Sequence, residues 1–163
     1  MCNLVISCLP ALGFTNASGL AKLSFLFDNG VSNSFHVYIE REGDFNWFFD
    51  NEHIVRTESF PLPQDMSKSV ASNIGCLFDN LTDDDNSDEL YEIIYQYRER
   101  HCFRFGFRGQ DVPDVYLASK SGKLEISCEE SDIQFNYLIE FEAFYQQLKN
   151  ALKKYRNLSF PDS

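Results

Sequence analysis

The sequence predicts an α+β fold, with a mostly antiparallel sheet, helices packed on one side of it and a long C-terminal helix. Three observations carry this prediction. Apolar side chains recur at steps of three and four over residues 138–156, as on one face of a helix. Residues 21–40 contain two β-prone segments that flank a turn signal, as in a hairpin. The 16 Phe and 8 Tyr of the 163-residue chain favour a sheet-rich fold.

The N-terminal part of the chain predicts strands. Residues 4–6 are β-prone and precede Pro10, which indicates a short strand, and residues 13–19 indicate a loop. An antiparallel hairpin is predicted over residues 21–40, with its turn at residues 28–30. Its two strands are marked by Leu23, Phe25 and Phe27, and by residues 35–40.

The middle of the chain predicts an aromatic group and two helices. The dense aromatic group, which is ringed by polar and acidic residues, contains Phe45, Trp47, Phe48 and Phe49. Residues 65–80 show helical spacing, although Gly75 weakens the prediction. The spacing of residues 90–97 fits either a short helix or a buried strand. Acidic residues just before that segment favour the helix.

The last third predicts further strands and then the final helix. The predicted elements are a strand over residues 102–108, a turn over 109–113, strands over 115–118 and 124–128 around a tight turn at 121–122, an extension of the sheet over 133–137, and the helix over 138–156. The acidic first turn and basic last turns of this helix suit the helix dipole. No repeat or linker divides the chain, so we expect a single globular domain over residues 1–163.

The net charge of −11 argues against several classes of partner. Residues 143–163 carry four basic residues and one acid, a balance of +3, so residues 1–142 carry −14. A surface of this charge repels nucleic acid and anionic membranes and attracts basic proteins. We therefore expect neither nucleic acid nor a membrane among the partners.

Cysteine usage and the N-terminal residues indicate a cytoplasmic protein. The five cysteines are odd in number and no pair has CxxC spacing, so we expect reduced thiols and no disulfide. Residues 1–12 lack the basic region of a signal peptide and resemble a first strand. No apolar run approaches the roughly 20 residues that cross a bilayer.

No motif predicts metal binding or catalysis. His36, His53 and His101 are scattered, and His101 and Cys102 would face opposite sides of a strand. The acidic residues from Asp83 onward lack the Gly and Glu that a calcium loop requires. The glycines form no P-loop or dinucleotide fingerprint, and GxSxG is absent. We expect no cofactor, no metal and no enzymatic activity.

An interval without Lys or Arg, from Ser69 to Tyr97, is the strongest local feature. Its acids are typical either of a solvated loop that aids solubility or of a surface that steers a basic protein and mimics phosphate. Aromatic anchors would come from the group around Trp47, although such a group is more typical of an ordinary core segment. The predicted partner-binding residues are Asp44, Trp47, Asp50, Glu52, Asp79, Asp83, Asp84, Asp85, Asp88, Glu89 and Glu92.

Residues 105–114, FGFRGQDVPD, precede two predicted strands and the final helix. In this stretch, and as an acidic α+β domain without catalytic motifs, the chain resembles the immunity proteins of bacterial toxin systems, such as contact-dependent inhibition. The resemblance implies a cytoplasmic inhibitor that binds a cognate toxin domain stoichiometrically, often a basic nuclease or a toxin that acts on translation. It covers the last third of the chain and assigns no residue a role.

Two other functions stay open on the sequence alone. One is an acidic phage or plasmid protein that mimics nucleic acid and blocks a host factor. The other is an unrecognised enzyme that uses scattered carboxylates. Neighbouring genes separate these alternatives, because a toxin gene immediately upstream favours immunity and phage genes favour mimicry.

Overall fold

The computed structural model of the protein describes residues 3–11, 20–80 and 87–158. The strands are β1 (Asn3–Pro10), β2 (Ala21–Asp28), β3 (Ser32–Ile39), β4 (Tyr116–Lys120), β5 (Lys123–Glu129) and β6 (Gln134–Ile139). The helices are α1 (Asn46–Asp50), α2 (Glu52–Thr57), α3 (Val70–Asn80), α4 (Ser87–His101), α5 (Phe103–Gly106) and α6 (Phe141–Arg156), and a 3₁₀ turn covers Glu42–Phe45. These elements confirm the α+β class and the long C-terminal helix.

The strands form two three-stranded antiparallel sheets, a division that the sequence did not indicate. Sheet A has the order β1–β2–β3 and sheet B the order β4–β5–β6. In sheet A, β2 pairs with β1 through eight consecutive residue pairs and with β3 through another eight, and neither pairing contains a bulge. Phe25 therefore lies between Ile6 and Phe35, and these three side chains face the interior together.

The two predicted tight turns are confirmed. The hairpin expected over residues 21–40 consists of β2 and β3, and Asp28 Oδ1 accepts the N–H of Gly30 at 2.9 Å in its turn. Gly30 has φ +103, a conformation that glycine adopts without steric cost. Ser121 and Gly122 join β4 to β5 with φ values of 53 and 76. The predicted loop over residues 13–19 lies outside the described residues.

Aromatic rings join the two sheets. Phe27 of sheet A stacks on Tyr137 of sheet B with ring centroids 5.1 Å apart, and the rings of Phe35 and Phe135 lie 6.2 Å apart. The buried Phe103 ring meets the Phe35 ring edge-on at 5.2 Å. Such stacked and edge-to-face pairs stabilise the fold beyond the area that they bury. The main core therefore lies between the sheets.

Helix α6 packs along β1 and closes one edge of sheet A. Its buried residues are Phe141, Phe144, Tyr145, Leu148 and Ala151. The Gln147 amide accepts the N–H of Ile6 at 2.8 Å and donates to the carbonyl of Leu4 at 2.6 Å. One side-chain amide thus bonds β1 as a neighbouring strand would, and it protects that edge.

The prediction that the final helix begins at residue 138 is wrong by three residues. Leu138 belongs to β6, is 45% exposed and pairs with Glu125 of β5. Burial alternates along β6, as expected for a strand with one face in the core. Glu140 remains extended at the helix N-terminus, so the helical stripe begins at Phe141.

The strand predicted over residues 102–108 is also wrong. Of residues 102–108, Cys102 alone forms a β-bridge, which pairs it with Tyr116, and helix α5 begins at the next residue. Phe103 and Phe107 are both buried, and residues four apart face the same side in a helix as well as in a strand. Burial at this spacing therefore does not distinguish the two, and Gly106 at the end of α5 allows close packing on Trp47, since a Cβ there would lie 2.5 Å from Cγ of Trp47.

Helix α3 is anchored to sheet B by two side chains of β5. The predicted helix over residues 65–80 begins at Val70, because Ser69 Oγ accepts the N–H of Ser72 at 3.0 Å and caps it. Glu125 is fully buried, and its Oε1 accepts the N–H of Val70 at 2.6 Å. Ser127 Oγ accepts the N–H of the next residue at 3.2 Å. A carboxylate in this position is favoured by the helix dipole.

Helix α4 is confirmed where the spacing of residues 90–97 left helix or strand open. Glu58 holds its C-terminal end, because Arg100 donates two hydrogen bonds to that carboxylate at 3.0 and 2.6 Å. The ring of His101, fully buried, places Nε2 2.9 Å from Glu58 Oε2 and Nδ1 2.6 Å from the carbonyl of Leu117. These contacts connect α4 to β4 and to the residue that follows α2.

Replacement of Leu148 by Ala should lower the free energy of unfolding by about 2–5 kcal/mol, because its side chain is fully buried. Urea unfolding followed by circular dichroism measures the change. Leu138→Ala is the matched control, and we expect a loss within about 0.5 kcal/mol at this exposed position. Equal losses for the two variants would contradict the assigned faces.

Replacement of Glu58 by Gln should destabilise the protein at neutral pH and less so in acid. Burial raises the pKa of Glu58, but hydrogen bonds from Arg100 and His101 outweigh it and hold the pKa below its ordinary 4.5. The folded state thus binds this proton less tightly than the unfolded state, so the stabilisation exists above about pH 4.5 and is lost as pH falls further. Urea unfolding between pH 7 and pH 3 should show that the difference in unfolding free energy between wild type and Glu58→Gln becomes smaller as the pH falls.

A difference that stays constant with pH would contradict the charge-based explanation. Glu140→Gln, which removes one charge of an exposed ion pair, serves as control.

Candidate functional site

An open groove lined by aromatic rings lies where α3 meets α4. It has a volume of about 440 Å³ and is lined by Phe78, Asp88, Tyr91, Glu92, Tyr95 and Arg98. The rings of Phe78 and Tyr91 lie 5.9 Å apart, and Tyr95 meets Phe105 of α5 edge-on at 5.3 Å. We call this set of residues the aromatic groove. Exposed aromatic clusters of this kind are typical of protein-binding surfaces.

The spacing of residues along α4 creates the groove. Tyr91 and Tyr95 are four residues apart, so they lie one above the other on the same face of the helix, and each is 45% exposed. On an adjacent face of the helix, Ile94 and Tyr97 are buried against the protein. Helix α4 therefore has one apolar face that the fold covers and a second aromatic face that it leaves open.

Arg98 forms the floor of the groove. Its guanidinium carbon lies 5.5 Å from the Phe78 ring and 5.6 Å from the Phe105 ring, within range of a cation–π interaction. It also donates to the carboxylate of Asp114. This cation is therefore paired inside the protein, and it holds the aromatic rings in place.

The acidic residues around the groove set its charge. Asp88 and Glu92 line it, while Asp79 on α3 and Glu89 on α4 are exposed on the same two helices without lining the groove. We call these four residues the acidic rim. A neighbouring cleft of about 160 Å³, which shares Phe78 and Arg98 with the groove, adds the carboxylates of Glu129 and Glu130. The third carboxylate of this cleft, that of Asp114, is paired with Arg98. A basic partner approaching this side meets carboxylates from several elements at once.

Part of the acidic rim also has a local structural role. Asp88 and Glu89 occupy the first turn of α4, where negative charge stabilises the helix. Glu92 accepts a hydrogen bond from Gln96 at 2.7 Å. Of the other predicted residues of this interval, Asp83, Asp84 and Asp85 lie outside the described residues.

The predicted anchor group around Trp47 does not line the groove. Trp47 is half-buried, its Nε1 donates to the carbonyl of Glu99 at 3.2 Å, and its ring packs on Phe48. Asp44 accepts the N–H groups of Glu40 and Arg41. Glu52 pairs with Arg56 at 2.7 Å, and Asp50 is exposed. Except for Asp50, these predicted site residues make contacts that the fold itself uses.

The sequence prediction missed the tyrosines of the groove. Their signal was present, because α4 carries Asp88 three residues before Tyr91 and Glu92 three residues before Tyr95. The same helix also has apolar residues such as Ile94 on its other side. A helix with aromatic residues on two faces cannot bury both faces against one sheet. The aromatic residues of the second face stay exposed to solvent.

The buried cysteines do not form an activated nucleophile. Cys102 is fully buried, and this burial, aided by the nearby Asp114, raises its pKa to about 12. A thiol with such a pKa stays protonated at neutral pH. The ring of the adjacent His101 is engaged by Glu58 and Leu117. Among the described residues, no group of three His, Cys, Asp or Glu side chains is placed to hold a metal ion.

Comparison with family models, curated proteins and solved structures found no match to this chain. Within the described ranges, no helix has both the length and the apolar character that crossing a membrane requires.

Alkylation of the native protein should modify Cys76 well before Cys8, Cys102 and Cys128. Cys76 is half-buried, whereas burial raises the pKa of the other three thiols to about 11, 12 and 11 and shields them. Timed alkylation followed by mass spectrometry of the peptides measures the order. After unfolding, all five cysteines should react, since we predict no disulfide. Fast reaction of native Cys102 would point to an enzyme, and an unreactive pair after unfolding would reveal a disulfide.

Proposed function

We propose that this protein is an immunity protein of the bacterial toxin–inhibitor type, which binds a basic toxin domain stoichiometrically and silences it. The aromatic groove and its acidic rim are the proposed binding surface. The observation that carries the proposal is the open face of α4, where Tyr91 and Tyr95 stand 45% exposed beside Asp88 and Glu92. Aromatic anchors surrounded by charge are the residues that dominate affinity in protein complexes.

The acidic rim would act first, during encounter. Residues 1–142 carry a charge of −14, and the interval that forms α3 and the first part of α4 contains no Lys or Arg. An attractive field between the two proteins raises the association rate and orients the partner before contact. Nucleases and toxins that act on translation carry basic grooves for phosphate, which carboxylates can occupy instead.

The tyrosines would act second, by holding the complex together. A Tyr side chain has few rotatable bonds, offers a large apolar ring and keeps a hydroxyl for hydrogen bonding, so it loses little entropy on binding. Tyr91 is supported by Phe78 and Tyr95 by Phe105, so both rings are already partly positioned. Such preorganisation lowers the cost of binding and slows dissociation. The proposed inhibition needs no chemistry, only occupancy.

Charge reversal on the groove should slow binding of the toxin. The variant Asp88→Lys with Glu92→Lys should reduce the association rate at low salt by about tenfold or more, because it replaces attraction with repulsion. Surface plasmon resonance over a salt series, with the purified product of the gene immediately upstream as partner, measures the rate. The wild-type rate should fall steeply as salt rises.

The matched control is Glu40→Lys with Asp132→Lys, which changes the net charge by the same amount at exposed positions that do not line the groove. We expect a small effect from it. Tyr91→Ala with Tyr95→Ala should raise the dissociation rate by about tenfold or more, while Leu138→Ala, equally exposed on β6, should not. Equal effects of the two charge variants would contradict the groove as the binding surface. Absence of binding by the neighbouring gene's product would contradict the immunity function.

A further inference from the structure

The outer edge of β3 presents main-chain groups that the fold leaves unbonded. Gln110 accepts the N–H of Tyr38 at 2.7 Å and donates to its carbonyl at 2.8 Å, so the main chain of Tyr38 points away from β2. In an antiparallel strand this direction repeats at every second residue, so Ser34 and His36 point the same way. In residues 3–11, 20–80 and 87–158, no hydrogen bond reaches the outward N–H of either residue.

Within the described part of the chain, this edge lacks the features that protect other strand edges. The edge of β1 is bonded by Gln147, whereas the hydrogen bonds that described residues make to the edge of β3 come from Gln110 at Tyr38. Residues 32–36, SNSFH, contain no Pro, Lys or other charged residue, and their register with β2 has no bulge. Ser32, Ser34 and His36 are exposed. A flat, unprotected edge of this kind is a template for another strand.

We propose that the edge of β3 pairs with the same edge of a second copy of this chain, antiparallel and with Ser34 opposite Ser34, so that two A sheets form one six-stranded sheet. In this register Ser32 of each copy lies opposite His36 of the other. The outward-facing residues then meet as hydrogen-bonded pairs on both sides of a two-fold axis. Pairing ends before Tyr38, whose main chain is occupied by Gln110.

Charge favours a second copy over a basic partner at this edge. Two chains of net charge −11 repel each other over most of their surfaces, but residues 32–36 bring no charged side chain to the contact. Partial burial, together with nearby Lys22, lowers the pKa of His36 from its ordinary value, so its ring is neutral at pH 7. A basic protein finds no carboxylate on these five residues and gains nothing from the attraction that the groove provides.

The dimer and the toxin complex should respond to salt in opposite directions. Screening weakens attraction between an acidic protein and a basic one, but it also weakens repulsion between two acidic copies. Self-association should therefore increase with salt, while toxin binding decreases. Because paired edges bury little area, we expect the dimer to depend on protein concentration.

Proline at His36 tests the pairing directly. His36→Pro removes only an outward N–H, which β2 does not use, and it blocks an added strand, whereas His36→Ala keeps that N–H. Sedimentation velocity of the full chain over a range of concentration and salt should show dimers for wild type and His36→Ala and monomers for His36→Pro, with circular dichroism to confirm folding. A wild-type protein that stays monomeric at high concentration and high salt overturns the proposal.

A charge pair at Ser34 tests the register and does not depend on the proline variant. Ser34→Lys and Ser34→Glu should each be monomeric, since like charges would meet across the two-fold axis, and an equimolar mixture should form dimers. A mixture that stays monomeric overturns the register. If His36→Pro instead abolishes toxin binding while His36→Ala does not, the edge belongs to the toxin and the dimer is overturned. A wild-type protein that binds the toxin without forming a dimer leaves the immunity function standing, and a wild-type protein that forms the dimer without binding the toxin leaves the dimer standing.

Discussion

The buried carboxylate of Glu125 is the contact on which the placement of the helices beside sheet B depends. It lies on the middle strand of that sheet and is fully buried, yet it accepts the N–H of Val70 and pairs with Lys120 Nζ at 3.1 Å. A buried charge is tolerated only where partners of this kind compensate for lost hydration. Together with Ser127 and the cap at Ser69, this carboxylate holds the start of α3 against β5, and the helix in turn places Phe78 in the groove.

The position of helix α4 likewise depends on polar side-chain contacts. Polar contacts among Glu58, Arg100 and His101 hold its C-terminal end, and the His101 ring stacks on Tyr97 with centroids 3.9 Å apart. In this arrangement one face of α4 is buried against the protein, and the face that carries Tyr91 and Tyr95 is exposed. The groove is thus a consequence of how the helix is held, because rotation of α4 about its axis would break the contacts at its end.

Sheet A shows how a small number of side chains control strand edges. Gln147 and Gln110 each bond a donor and an acceptor of one edge, as the peptide groups of a neighbouring strand would. Gln147 belongs to α6, which covers β1, whereas Gln110 follows α5 and bonds the main chain of Tyr38. The path of the segment that follows α5 therefore determines which main-chain groups at the edge of β3 are hydrogen-bonded by Gln110.

The sequence by itself determined the elements whose periodicity is local and unambiguous. The β2–β3 hairpin, the turn at Ser121 and Gly122 and most of α6 follow from alternation, turn residues and a helical stripe. Only the tertiary structure decided the division into two sheets, the helix at Phe103–Gly106 and the strand that takes Leu138. Local spacing cannot separate a strand from a short helix when residues four apart face one side in both. It also cannot show which of two aromatic faces of α4 is covered, because that depends on Glu58 and Leu117, which are distant in sequence.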